Sequence, residues 1–168
     1  MTTIKGRVAI IGQTNVGKST LFNLLTRTNT AIISDQEGVT RDRIQQFAYY
    51  DKEKTSGFLL VDTGGYETNN YCFQPFEDNL VWQQTLSAVK QANVIILVFD
   101  GQTGLHQLDK ELVKILKNEQ KPILYVINKV DGIEKTPQTW EFYKLGLNTE
   151  PFLISARYKR GITPLLSE

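Results

Sequence analysis

Continuous apolar runs recur along the chain at Val8 to Ile11, Phe58 to Val61, Val94 to Phe99, Ile123 to Ile127 and Phe152 to Ile154. Unbroken runs, as opposed to alternating ones, mark strands covered on both faces, the habit of a parallel sheet. Between them the apolar positions switch to helical spacing. Leu21, Leu24 and Leu25 share one face; Trp82, Leu86 and Val89 a second; Leu108, Leu112, Ile115 and Leu116 a third, with Lys and Glu outside. Thr136-Pro137 opens a fourth helix, in which Thr136 can cap, Pro137 suits the first turn, Trp140 and Tyr143 can face inward and Gly146 can end the helix. Ile44 to Tyr50, a polar turn and Phe58 onward read as a hairpin that adds an antiparallel edge strand. The pattern predicts an α/β fold: a six-stranded, mostly parallel sheet with one antiparallel edge strand and helices on both faces.

Polar residues follow the runs: Gly12, Asp62, Asp100, Asn128 and Ser155. In an open α/β sheet the carboxyl ends of the strands form the ligand crevice, so motifs far apart in sequence are brought to one edge. The first is Gly12-Gln13-Thr14-Asn15-Val16-Gly17-Lys18-Ser19, with Thr20 next, placed between a strand and a helix as a phosphate-binding loop must be. Gly12 and Gly17 permit backbone angles that wrap N–H groups around phosphates, Lys18 supplies a point charge and the Ser19 hydroxyl can ligate Mg²⁺. By residue usage alone this pattern arises by chance in roughly one chain of this length in a hundred.

Asp62-Thr63-Gly64-Gly65 offers a carboxylate that can hold Mg²⁺ through water and a Gly65 N–H that can reach the terminal phosphate. Thr40, in the long connection from about Thr28 to Arg43, is the natural second hydroxyl ligand for the metal. The neighbouring Arg41 and Arg43 read first as solubilising charges. A second long connection, Gly64 to about Glu77, leaves the same end of the crevice, and such loops are usually functional. Asn128-Lys129-Val130-Asp131 then selects the base. Asp131 accepts from the N1–H and 2-amino donors of guanine, whereas adenine offers no amino group there, so a buried carboxylate would be left unpaired. Lys129 can lay its stem along the base, Asn128 can tie this loop to the phosphate loop, and Ser155-Ala156 can offer a backbone N–H to the guanine O6.

With 168 residues the chain is read as one domain, residues 1–168, and its last helical segment, begun at Gly161, suggests a fragment of a longer protein. A net charge of +1, from 19 basic and 18 acidic residues, supports no overall attraction to nucleic acid or membrane. Cys72 is the lone cysteine, so no internal disulfide forms and a reducing, cytoplasmic setting is expected. No apolar run approaches the length needed to cross a bilayer, and His106, the lone histidine, reads as a surface loop residue.

Together these motifs resemble the Era-like group of P-loop GTPases, and most of all the first GTPase domain of the Der (EngA) family, whose members carry two in tandem. The resemblance covers nearly the whole chain: the phosphate loop with Asn15, Gly38-Val39-Thr40-Arg41-Asp42-Arg43, Asp62-Thr63-Gly64-Gly65, Asn128-Lys129-Val130-Asp131, Phe142 to Leu147 and Ser155-Ala156-Arg157. It implies a G domain that binds GTP and GDP with Mg²⁺ and hydrolyses GTP, using Asn15, Lys18, Thr40 and Gly65. It further implies a K⁺ held by Asn15, a role in large ribosomal subunit assembly and contacts to the ribosomal subunit or its RNA through other domains. The isolated domain is expected to be monomeric, with no membrane partner. Gln13-Thr14 stands where relatives usually have Arg-Pro, and Glu37 where Pro is common, so both loops can be shaped differently here. Tyr66 occupies the place of a water-orienting glutamine, which predicts slow turnover. Two alternatives share the motifs: the GTPase domain of the related tRNA-modification family, and a GTP-gated binding module with negligible hydrolysis. A P-loop ATPase or kinase fails at Asp131.

Overall fold

The structure, a computed structural model, describes residues 3–27, 44–49, 55–63, 80–132 and 137–167. Thr40, Arg41, Arg43, Gly64, Gly65, Tyr66, Cys72 and Thr136 lie outside them, as do most of the two long connections.

Among the described residues, six strands and five helices alternate: β1 (Thr3–Ile11), α1 (Lys18–Arg27), β2 (Ile44–Tyr49), β3 (Ser56–Asp62), α2 (Leu80–Gln91), β4 (Val94–Asp100), α3 (Gln107–Lys117), β5 (Ile123–Asn128), α4 (Pro137–Tyr143), β6 (Phe152–Leu153) and α5 (Ile162–Leu166). They form one sheet in the order β2-β3-β1-β4-β5-β6. Only the β2–β3 pair is antiparallel, Ile44 facing Asp62 and Tyr49 facing Gly57, and β2 is at the edge as the hairpin pattern predicts. All other pairs are parallel.

Unbroken apolar runs arise because each strand feeds two cores. Along β4, Ile95, Leu97 and Phe99 enter one core with Trp82 and Val89 of α2, Leu108, Leu112 and Leu116 of α3 and Phe142 of α4. Ile96 and Val98 point the other way, packing with Leu21, Phe22 and Leu25 of α1 and Ile162 and Leu165 of α5. At about 25 cal/mol per Å² of apolar surface removed from water, these two interfaces supply the main drive for folding. Lys121 adds a polar clamp, its ammonium donating to the carbonyls of Val89, Lys90 and Ala92 at 2.7, 2.7 and 2.8 Å where α2 ends.

Two details differ from the sequence pattern. β1 starts at Thr3 instead of Val8, because pairing with β3 continues beyond the apolar run into an exposed stretch. Trp140 does not face the core: it is 55% exposed, while Thr139 and Phe142 of the same short helix are fully buried. Helical spacing places Phe142 against Phe99, ring centroids 5.0 Å apart, which turns Trp140 outward. α4 stops at Tyr143, and Gly146 takes the left-handed φ of 60° that a chain reversal needs.

Candidate functional site

Sheet order reverses at β1, which lies between β3 on one side and β4 on the other. A crevice opens at such a point, and the phosphate-loop sequence leaves β1 there. Two glycines shape the turn. Gly12 has φ of 154°, and a Cβ on it would sit 2.4 Å from the Val98 carbonyl oxygen. Gly17 has φ of 97°, and a Cβ there would sit 2.2 Å from Nδ2 of Asn128. Asn15, at φ of 61°, is exposed at the outer bend, a conformation asparagine tolerates better than most residues.

Lys18 opens α1 and is only 5% exposed. Its ammonium donates to the Gln13 carbonyl oxygen at 2.5 Å. Burial lowers its pKa from 10.5 to about 8, with Asp62 pulling the other way. A buried cation poised beside a loop of amides is a strong attractor for an anion. The Ser19 hydroxyl donates to Oδ2 of Asp62 at 3.0 Å. A hydroxyl and a carboxylate from different elements thus meet beside Lys18, an all-oxygen donor pair of the kind that suits Mg²⁺. Thr63 faces inward, its hydroxyl donating to the Ile10 carbonyl at 2.9 Å and locking β3 to β1 at the crevice. Thr14 is half-buried and Thr20 is exposed in the first turn of α1.

At the ends of β5 and β6 a second cluster forms. Asn128, 3% exposed, donates through Nδ2 to the Val16 carbonyl at 2.9 Å and accepts the Ala156 N–H on Oδ1 at 2.9 Å. The Ala156 amide is therefore engaged within the protein, and a base oxygen seated there would share it with Asn128. Asp131 is exposed and not buried as the sequence argument expects, because it lies in the loop beyond the end of β5; its Oδ1 accepts from the Ser155 hydroxyl at 2.8 Å and its Oδ2 from Nε2 of Gln102 at 3.3 Å. Its backbone carbonyl accepts from Arg160 at 2.9 Å, while Ser155 and Arg160 exchange backbone hydrogen bonds of 3.1 and 3.0 Å. The carboxylate is thus held in one orientation before any base arrives. Lys129, at φ of 64°, sends its ammonium to Oδ2 of Asp100. Val130 is half-buried, its N–H donating to the Ile154 carbonyl at 3.0 Å. Arg157 points outward, its guanidinium 5.5 Å from the Tyr158 ring centroid.

The structure thus joins Gln13 with Lys18, Ser19 with Asp62, Asn128 with Val16 and Ala156, and Asp131 with Ser155 at the carboxyl ends of the strands, whereas Thr20 and Arg157 are exposed. Thr40, Gly64 and Gly65 fall outside the described residues. Sequence reasoning placed Asp100 at the crevice without giving it a role and missed two further supporting side chains, Gln102 and Asp109. Asp100 anchors Lys129 and takes the Gln102 and Thr103 amides on Oδ1 at 2.8 and 3.2 Å, closing the turn after β4. Gln102 reaches Asp131, for which no sequence signal existed. Asp109, 2% exposed in the first turn of α3, accepts from Gln13 Nε2 at 2.7 Å and from the His106 N–H at 3.0 Å. Burial raises its carboxyl above the usual range, and the two donors oppose that. His106 itself is exposed and starts α3.

The family described as 50S ribosome-binding GTPase matches residues 7–129. GTPase Der of Aliivibrio fischeri (strain MJ11) is 40% identical over 159 residues, 95% of this chain and 30% of that protein. GTPase Der of Trichlorobacter lovleyi is 43% identical over 169 residues, 98% of this chain and 35% of that protein. The chain therefore spans about a third of the length of these curated relatives. Among solved structures, a variant of Era from Aquifex aeolicus bound to GDP and aluminium fluoride superposes with a TM-score of 0.72 at 31% identity, over 96% of this chain and 55% of that one. Era in complex with MgGDPNP and a segment of 16S ribosomal RNA gives 0.72 at 29% identity, over 99% and 56%. A glycine-shaped loop around Lys18, a paired Ser19 and Asp62, and an Asp131 carboxylate held by Ser155 are joined by a match across most of the chain: it belongs to the 50S ribosome-binding GTPase family, as a GTPase domain similar to those of Der and Era.

Proposed function

We propose that this domain is a Mg²⁺-dependent guanine-nucleotide switch that hydrolyses GTP to GDP and phosphate. The observation that carries the reading is the Asp131 carboxylate, fixed by Ser155 and linked through the Asn128 loop to Val16 of the phosphate loop. One end of a nucleotide is read by its purine edge and the other by the amides from Gly12 to Ser19. Lys18 neutralises charge on the β and γ phosphates, turning its other two N–H bonds to phosphate oxygen while one stays on the Gln13 carbonyl. Ser19 and Asp62, with Thr40, would hold the metal, which when bound draws charge from the phosphate oxygens. Phosphoryl transfer needs positioning and charge neutralisation more than covalent chemistry, so Lys18 and the loop amides can supply most of the acceleration. Thr40 and Gly65 would contact the γ phosphate only while it is present, and its loss would free both residues.

Asn15 carries the finer part of the proposal. Exposed at the bend of the loop, its amide oxygen suits K⁺, and we infer that K⁺ stimulates turnover there. The relatives are named Der and the family as ribosome-binding, which supports a role in large ribosomal subunit assembly exercised with segments outside this chain. The test is a competition of GTP against ATP, followed by single-turnover hydrolysis in K⁺ and Na⁺ at equal ionic strength. Preference for ATP would overturn the base assignment; equal rates in the two salts, or an unaffected Asn15→Ala variant, would overturn the K⁺ role. Negligible hydrolysis in either salt would leave a GTP-gated binding module.

A further inference from the structure

Gln13, the second residue of the phosphate loop, is held at both of its polar ends. Its side-chain amide donates to Oδ1 of Asp109 at 2.7 Å, and its backbone carbonyl accepts the Lys18 ammonium at 2.5 Å. Asp109 is 2% exposed and belongs to α3, an element whose other buried residues pack in the core on the opposite face of the sheet from α1. Its second oxygen is already used, accepting the His106 N–H at 3.0 Å where α3 begins. A loop position in which Gln13 swings away would strand a buried carboxylate oxygen, and an unpaired buried acceptor is costly. A run of electrostatic contacts therefore leads from α3 to the side chain, then the backbone, of Gln13, and on to the ammonium of Lys18.

We propose that Asp109 is a positioning residue for the phosphate loop: through Gln13 it fixes the carbonyl against which Lys18 is aimed, and so governs how tightly nucleotide phosphates are held. Ordering of the loop is then met during folding and not at the moment of binding, which favours affinity. The proposal rests on the reading that this loop takes phosphates, but not on which base the nucleotide carries.

Calorimetric titration of the domain with Mg²⁺ and GDP tests it, alongside thermal unfolding of each variant without nucleotide. Gln13→Ala and Asp109→Ala are each expected to weaken GDP binding about tenfold, as loss of one charge-assisted hydrogen bond implies. The double variant should be no weaker than either single one, because both remove the same link. Gln13→Arg, which can pair with the carboxylate, should bind within about threefold of the parent, yet lose about tenfold when combined with Asp109→Asn, since the guanidinium then has no counter-charge. Losses that multiply in the double variant, or a Gln13→Ala protein that binds GDP like the parent, would overturn the proposal. If Asp109→Ala does not fold, Gln13→Ala and the Gln13→Arg pair decide the matter, because neither empties the His106 contact. A parent protein that prefers ADP would defeat the guanine assignment alone, and the same comparisons run with ADP would judge the Asp109 link by the same criteria.

Discussion

Nδ2 of Asn128 donates to the Val16 carbonyl oxygen at 2.9 Å, joining residues 112 positions apart in the chain. The other end of that amide takes the Ala156 N–H. A single buried side chain thus fixes the distance between the Gly12 to Ser19 loop and the loops that follow β5 and β6. Its burial removes competition from water, so each bond is worth more than on the surface.

Gly17 lies against this link. Gly17→Ala would place a methyl group 2.2 Å from Nδ2 of Asn128 at a φ of 97°. It should cost about 2 kcal/mol or more of stability through strain and the broken bond, and weaken GDP binding at least tenfold. Urea unfolding and a GDP titration measure the two effects, and a variant with parent-like values in both would show that the close approach is not real.

Asp131→Asn should change which purine is chosen. An asparagine amide presents a donor where the carboxylate presents an acceptor, so the 2-amino group of guanine is opposed by N–H, while the 2-oxo group of xanthine is matched. GDP affinity should fall by about a hundredfold or more, with XDP gaining on GDP. Unchanged preference for GDP in competition would remove Asp131 from base recognition.

Lys18 makes stability depend on pH. Its folded pKa of about 8 is below the 10.5 of the unfolded chain, so the unfolded state binds more protons between those values. The penalty for burying the ammonium is fully present below about pH 8 and disappears as pH rises toward 10.5. In EDTA and without nucleotide, the parent should therefore gain stability relative to Lys18→Met over this window, by on the order of a few kcal/mol. Parallel stability curves for the two proteins would refute it.

Tyr125 is fully buried, stacked 6.4 Å from Phe99, and its hydroxyl has no hydrogen-bond partner among the described residues. A buried hydroxyl without a partner costs free energy that phenylalanine does not. Tyr125→Phe should stabilise the domain by about 1 kcal/mol, read as a higher midpoint in thermal unfolding. A lower midpoint would mean that the hydroxyl is satisfied.

Fold class was legible because covered parallel strands must be apolar on both faces; Ile95 to Phe99 and Ile123 to Ile127 carry that signature with no help from context. Trp140 was misread for a related reason. In a helix as short as α4 the spacing leaves several residues eligible for the core, and which of them wins depends on where Phe99 waits across the sheet.

The sequence by itself determined the motifs proposed here to contact phosphate and purine, since those chemistries restrict residue type at fixed local spacing: glycines where a Cβ cannot fit, a lysine, a hydroxyl, a carboxylate after a strand. Only the tertiary structure decided what holds them in place. Asp109 against Gln13, Asp100 against Lys129 and Gln102 and Ser155 against Asp131 are pairs between separate elements, and at a distance of 96, 29 or 24 residues no local pattern encodes them. Hydrogen bonds act over about 3 Å, and only folding of the sheet brings such partners within that range.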